Sequence, residues 1–306
     1  VDKLADNVTG LYGTEWATSS TFPKSDYVLK EGRPVGLVRG LTADGFYTTD
    51  DFTYENGVYT LKKGVADVSS AVFPNYHLHN GMNERPAGQL AYPGMAKFKD
   101  LNDDGIINDD DVDVIGDMTP VHTGGFNINA TYKNFDLGLY FNWSYGNEIY
   151  NVNKLAALYG YKEGAVYENK LSIVKDCYKI YDVVNGELVA LTTPEQLNAA
   201  NANAKLPLAY SENGYVSTLG IEDGSYLRLN TLTLGYTLPK SILQKAGISN
   251  LRVYGSIYNV FTITGYSGID AEVSTSTSTK TYPQLGMDWG TYPRARSFVL
   301  GVNLSF

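Results

Sequence analysis

The chain has 306 residues, 43% hydrophobic and 13% aromatic, with 25 tyrosines and 31 glycines. No run approaches the roughly 18 consecutive apolar residues of a membrane helix, which excludes a helical membrane protein, whereas alternating strands of about 9–11 residues stay open at a mean hydropathy of -0.22. A net charge of -9 without clustered Lys and Arg excludes nucleic acid as a partner, and the one cysteine, Cys177, has no second cysteine to pair with.

Val1-Asp2-Lys3-Leu4 carries no basic region, apolar core or small-residue cleavage site, so the sequence reads as starting inside a longer protein. His77 and His79 would share one strand face. No carboxylate or cysteine accompanies them at a zinc-like spacing, and no metal is assigned there.

Residues 100–111 form the sharpest chemical motif. Asp100, Asn102 and Asp104 place side-chain oxygens at loop positions one, three and five, Gly105 sits at the sharp turn, the Ile106 carbonyl follows, and Asp111 stands at position twelve. Ca²⁺ takes six to eight oxygen ligands, and these groups, with Asn108 directly or through water, supply most of them. The spacing therefore predicts a structural Ca²⁺ within an extracellular loop. A solvated acidic loop is the plainer reading of the same residues.

Phe126, Ile128, Ala130 and Tyr132 alternate with polar residues, Lys133-Asn134 makes a tight break, and Phe135, Leu137, Leu139, Phe141 and Trp143 resume the alternation. This predicts a β-hairpin. Gly124-Gly125 is no phosphate loop, because no Lys-Ser/Thr follows it. Within the long link that begins near Tyr145, Pro194-Glu195-Gln196-Leu197-Asn198-Ala199-Ala200-Asn201 predicts a short helix with proline in its first turn. Glu222-Asp223 is a pair of adjacent acids, which sits more easily on a solvent-facing loop than in a glycosidase site.

Leu232, Leu234, Tyr236 and Leu238 predict a further strand ended by Pro239. Leu227 and Leu229 have the opposite parity, which predicts a bulge between the two sets. Residues 240–247 predict a helical turn closed by Gly247. Leu251, Val253, Gly255 and Ile257 then oppose Arg252, Tyr254, Ser256 and Tyr258 on the next strand. In the final run, Phe298, Leu300, Val302, Leu304 and Phe306 share one face. Short links after Tyr132 and Leu238 alternate with long ones, as periplasmic turns and extracellular loops do in outer-membrane strands.

Several stretches, in order along nearly the whole chain, together resemble one family. They are Glu31-Gly32-Arg33-Pro34-Val35-Gly36, residues 44–52, residues 98–107, Tyr132-Lys133-Asn134-Phe135-Asp136-Leu137, residues 145–151, residues 222–229 and Tyr258-Asn259-Val260-Phe261. The pattern is similar to the C-terminal part of SusC-like (RagA-type) TonB-dependent outer-membrane transporters of Bacteroidetes. The resemblance implies an all-β fold over residues 1–306: the C-terminal strands of a twenty-two-stranded antiparallel transmembrane β-barrel with long extracellular loops, its plug and earlier strands lying outside this sequence.

The same resemblance implies the cell outer membrane as location, a SusD-like surface lipoprotein, outer-membrane lipid and the remainder of the transporter as partners, and energy delivered through TonB. The expected cargo is an oligosaccharide, with peptide as the competitor, and no reaction is expected. Inward-facing Asn142, Arg252, Tyr254 and Tyr258 are the cargo-contact candidates. Filling of the polar wall is the plainer role for them. The alternative from the residues alone is a soluble, calcium-dependent glycan-binding β-protein.

Overall fold

A computed structural model describes residues 15–16, 26–70, 85–159, 171–209, 216–244, 247–273 and 285–306. The predicted alternating runs form one antiparallel sheet of five strands: β1 (His122–Tyr132), β2 (Phe135–Tyr145), β3 (Tyr226–Thr237), β4 (Asn250–Thr264) and β5 (Ser297–Ser305), in that spatial order. Lys133 adopts φ of 53° in the two-residue link between β1 and β2. The register sets Phe126 opposite Phe141, Leu137 opposite Leu234, Tyr236 opposite Val253 and Gly255 opposite Leu300. Directly paired residues share a face, so the five apolar stripes merge into one surface.

The predicted bulge falls at Asn230. Thr231 pairs with Tyr140 and Leu229 with the adjacent Phe141, so one extra residue of β3 is skipped. That extra residue brings Leu227 and Leu229 back to the apolar face despite their parity. The predicted helices are also present, Pro194–Asn201 and Lys240–Leu243. Thr193 caps the first, its Oγ1 accepting from the Gln196 N–H while the Gln196 side chain accepts from the Thr193 N–H at 3.2 Å.

The barrel expectation is corrected. Among the described residues no sheet closes on itself: β1 pairs only with β2, β5 only with β4, and the other sheets have two to four strands. The reason is geometric. About eight strands are needed before a closed sheet has an interior that side chains just fill, and five do not bring the two edges together. No helix among the described residues is long and apolar enough to cross a membrane, which says nothing of strands.

The long links are not simple loops. Buried side chains drawn from the described residues between Tyr27 and Met118, from Tyr150, Val152 and Leu155, from the segment between Cys177 and Leu197, and Val216 and Met287 pack into one continuous core. Tyr27, Tyr47, Tyr59, Tyr92 and Tyr150 are among its largest fully buried side chains. Several of these phenols reach across the chain: Tyr27 donates to the Leu285 carbonyl at 2.6 Å, Tyr47 to Ala66 at 2.6 Å and Tyr59 to Thr192 at 3.2 Å. Each of these three rings buries apolar area while its hydroxyl satisfies a carbonyl of another segment, so they tie together a body with little regular structure.

Candidate functional site

The five-stranded sheet has two chemically different faces. On one, Phe298, Leu300 and Val302 are 72%, 88% and 61% exposed, and Phe126, Ile128, Phe135, Leu234 and Val253 are exposed beside them. So large an apolar patch on a folded chain marks an interaction surface. The other face is largely polar, and several of its groups are paired with one another.

Asn142, Arg252, Tyr254 and Tyr258 all lie on that polar face, as the alternation predicts. The structure does not gather them into one site. Six positions of β2 separate Asn142 from Asp136, the partner of Arg252, which is about 20 Å along a strand. Arg252 donates to Asp136 from Nε at 2.9 Å and from Nη2 at 2.5 Å, a two-pronged ion pair above Gly235. Its guanidinium also stands 4.8 Å from the centre of the Tyr254 ring, and Tyr254 lies across Gly301. Asn142 donates to the Tyr226 hydroxyl at 3.2 Å and accepts from Asn230 at 2.7 Å. Tyr258 is partly exposed.

One cluster on this face was missed from the sequence. Arg228, almost fully buried, pairs through Nη2 with Asp270 and through Nη1 with Glu272 at 3.4 Å; Arg294 meets the same two acids at 3.4 and 3.0 Å. Two cations and two anions thus fix the segments around 270 and 294 against β3. The acids lie more than forty residues from Arg228, and no local spacing announces their meeting.

In the 100–111 loop the side chains order the backbone. Asp100 accepts from the Asp104 and Gly105 N–H groups at 3.3 and 2.8 Å, Asn102 from Asp104 at 3.0 Å, and Asp104 from Ile106 at 2.8 Å. Gly105 has φ of 85°, the left-handed conformation that the motif requires of it. Asn108 Oδ1 accepts from the Asp110 N–H at 2.6 Å. Asp111 is fully buried, with Oδ1 accepting from Leu101 at 2.7 Å and Oδ2 from Asn108 at 2.8 Å. Ile107 pairs in parallel with Val68, which ties the loop to the core. The donor set is all oxygen and suits a hard cation, and a carboxylate oxygen that accepts one N–H retains a second lone pair. Among the described residues, however, no three His, Cys, Asp or Glu side chains converge as a metal cluster.

The other candidates have structural surroundings. His77 and His79 lie outside the described residues. Glu222 accepts from the Ser267 N–H and hydroxyl, each at 2.9 Å, and from Lys154 at 3.0 Å, while Asp223 accepts from the Ser225 N–H at 2.8 Å. Burial pushes the Glu222 carboxyl up, but the Ser267 and Lys154 contacts outweigh it and hold the group below the usual glutamate value. Cys177 is buried, and that burial, with Asp176 nearby, pushes its thiol up to about 11.

No family model matches the chain. It is 30% identical over 284 residues to TonB-dependent receptor P3 of Formosa agariphila, covering 91% of this chain and 23% of that protein. TonB-dependent receptor P39 of the same organism is 27% identical over 312 residues, with 95% and 27% covered. TonB-dependent receptor SusC of Bacteroides thetaiotaomicron is 34% identical over 136 residues, with 42% and 12% covered. Among solved structures, the RagAB peptide importer in its closed-closed state superimposes with a TM-score of 0.59 at 20% identity, over 96% of this chain and 25% of that one. The chain thus spans about a quarter or less of the length of these curated relatives.

Proposed function

At the family level the chain matches the SusC- and RagA-type TonB-dependent outer-membrane transporters of Bacteroidetes, and from that premise we propose that it forms part of an active importer in the outer membrane. In this reading the apolar face of the five-stranded sheet lies against lipid and the polar face lines the path of the cargo. The observation that carries it is the apolar face shared by all five strands, on which Phe126 of β1, Phe135 of β2, Leu234 of β3, Val253 of β4 and Leu300 of β5 are exposed.

Lipid offers no hydrogen bonds, and each unpaired backbone group there costs several kcal/mol. The outer edges of β1 and β5 therefore need partners, and we propose that the remainder of the same transporter supplies them. A SusD-like surface lipoprotein would present cargo from outside, and TonB would supply the energy. The proposed cargo is an oligosaccharide, with peptide as the second reading because the RagAB importer, which shares the fold, is described as a peptide importer.

We further propose that residues 100–111 bind Ca²⁺ through Asp100, Asn102, Asp104, the Ile106 carbonyl, Asn108 and Asp111. The ion would hold the loop rigid against the core. Asp104→Ala should lower protease resistance of the loop only when Ca²⁺ is present, and equal resistance with and without chelator would dispose of the site.

The transport reading is tested by deleting the gene and measuring uptake of labelled oligosaccharides and labelled peptides, with and without a protonophore. Energy-dependent uptake of one class should disappear with the gene. Undiminished uptake, with the protein monodisperse in water without detergent and binding sugar alone, would instead establish a soluble glycan-binding protein.

A further inference from the structure

The strand register sets one row across the polar face of the sheet: Asn127 opposite Tyr140, Tyr140 opposite Thr231, and Thr231 opposite Tyr258. Tyr140 and Tyr258 are each 42% exposed. They stand two strands apart, which is about 10 Å between backbones. The row beneath is small, running from Asn129 through Gly138 and Thr233 to Ser256, so the two phenols rise beside a shallow trough. A Cβ at Gly138 would meet only Asn129 Oδ1, at 3.4 Å.

The other tyrosines of this face are committed elsewhere. Tyr226 accepts from Asn142 and lies 5.6 Å from the Arg228 guanidinium, and Tyr254 lies 4.8 Å from that of Arg252. Among the described residues, Tyr140 and Tyr258 have neither a ring contact nor a hydrogen-bond partner, and the side chains of Asn127, Asn129 and Thr231 have no partner either. Two uncovered ring faces thus stand beside amide and hydroxyl groups whose donors and acceptors are free.

The nearest charges are cancelled. Arg228, one row above Tyr140, is almost fully buried and paired with Asp270 and Glu272, while Asp136, two rows below, is held by Arg252. A ligand seated on the row meets no uncompensated charge. It also meets no open strand edge, because β2, β3 and β4 are paired on both sides, so an extended peptide cannot add as a further strand. The row offers ring faces and hydrogen bonds. The C–H groups on one face of a pyranose ring are slightly positive and fit the negative face of a phenol, while its hydroxyls both donate and accept, as Asn and Thr require.

We propose that Tyr140 and Tyr258 form a subsite for a neutral oligosaccharide, with sugar rings stacked on the two phenols and sugar hydroxyls bonded to Asn127, Asn129 and Thr231. The inference rests on the transport reading and narrows its cargo, since neither a uronic acid nor a peptide suits this row.

The test measures initial uptake rates in cells whose only copy of the intact transporter is wild type or variant, at equal abundance in the outer membrane. The labelled probes are neutral hexasaccharides of glucose, mannose, xylose, galactose and fructose, hexagalacturonate, and a hexapeptide. A neutral hexasaccharide should be imported. Tyr140→Ala and Tyr258→Ala should each raise its KM about five- to tenfold with the maximal rate kept, as expected for the loss of one stacked ring. Tyr140→Phe and Tyr258→Phe keep the rings and should restore most of the affinity. Gly138→Leu should also raise KM, because it fills the trough without removing a contact group, and it decides the matter if an alanine variant fails to reach the membrane.

Neutral uptake with KM unchanged in these variants would overturn the subsite and leave the transport reading standing. Import of hexagalacturonate alone, or of the hexapeptide alone, would likewise overturn the subsite while transport stands. Absence of energy-dependent import of every probe would overturn both.

Discussion

Replacing Asp111 with alanine separates the architectural role of this carboxylate from the proposed metal role of its loop. Asp111 is fully buried, and its two oxygens accept from the Leu101 N–H at 2.7 Å and the Asn108 N–H at 2.8 Å. A hydrogen bond to a charged group contributes about 1.5–3 kcal/mol, so losing both should destabilise the loop locally by about 3 kcal/mol or more. That corresponds to amide hydrogen exchange on the order of 10²-fold faster across residues 100–111. Because these contacts involve protein groups only, the effect should appear in full with chelator present. Asp111→Asn keeps one acceptor oxygen and should give about half the loss, close to tenfold. Asp104 is exposed, and it accepts from the Ile106 N–H at 2.8 Å and from the exposed Asn102 side chain at 3.1 Å, so Asp104→Ala should change exchange less than Asp111→Ala in chelator and clearly in Ca²⁺. Unchanged exchange for Asp111→Ala in chelator would refute the reasoning.

Glu222 predicts an acid-sensitive contact. Its carboxyl is held below the usual glutamate value in the folded state, so its contribution is complete above about pH 4.3, the unfolded value, and is lost as pH falls through the folded one. Glu222→Gln should lower Tm at pH 7 by roughly 2–4 °C for each kcal/mol lost, and the difference from wild type should narrow as pH falls below about 4.3. A gap that persists unchanged at pH 3 would contradict this. Gly124→Ala should displace Trp143, cost about 1–3 kcal/mol through overpacking and shift tryptophan emission, whereas an unchanged spectrum would show that the indole does not lie across Gly124. Cys177, with its thiol pushed up to about 11, should react with maleimide on the order of 10²-fold more slowly than a free cysteine until denaturant is added.

The five strands were legible because each carries its own period-two pattern, and the parity break before Leu232 was enough to locate the bulge at Asn230. Pro194 and Pro239 marked a helix start and a strand end by removing backbone donors at fixed positions. Closure was not a local property, and the barrel inferred from these strands is replaced by an open sheet.

The loop-built core was not legible, because its contacts join residues far apart in sequence. Tyr27 bonds to Leu285, Tyr59 to Thr192, and Leu41 forms an isolated bridge with Ser217. The alternation correctly placed Asn142, Arg252, Tyr254 and Tyr258 on one face, but a period says nothing about what pairs with them. Asp136 occupies the Arg252 guanidinium, and Tyr226 and Asn230 engage Asn142. The Arg228, Asp270, Glu272 and Arg294 cluster left no mark for the same reason. The tyrosine content could be counted, yet nothing local to each residue tells that several of them lie in the core.

The central claim is that the apolar face of the five-stranded sheet lies in lipid. It is tested most directly by placing one nitroxide at a time at positions 298 to 303 of β5, in a Cys177→Ser background, and measuring collision rates with oxygen and with a water-soluble nickel chelate in vesicles. The account predicts strict alternation, with high oxygen and low nickel accessibility at 298, 300 and 302 and the reverse at 299, 301 and 303. High nickel accessibility at 298, 300 and 302 would place that face in water and contradict the account.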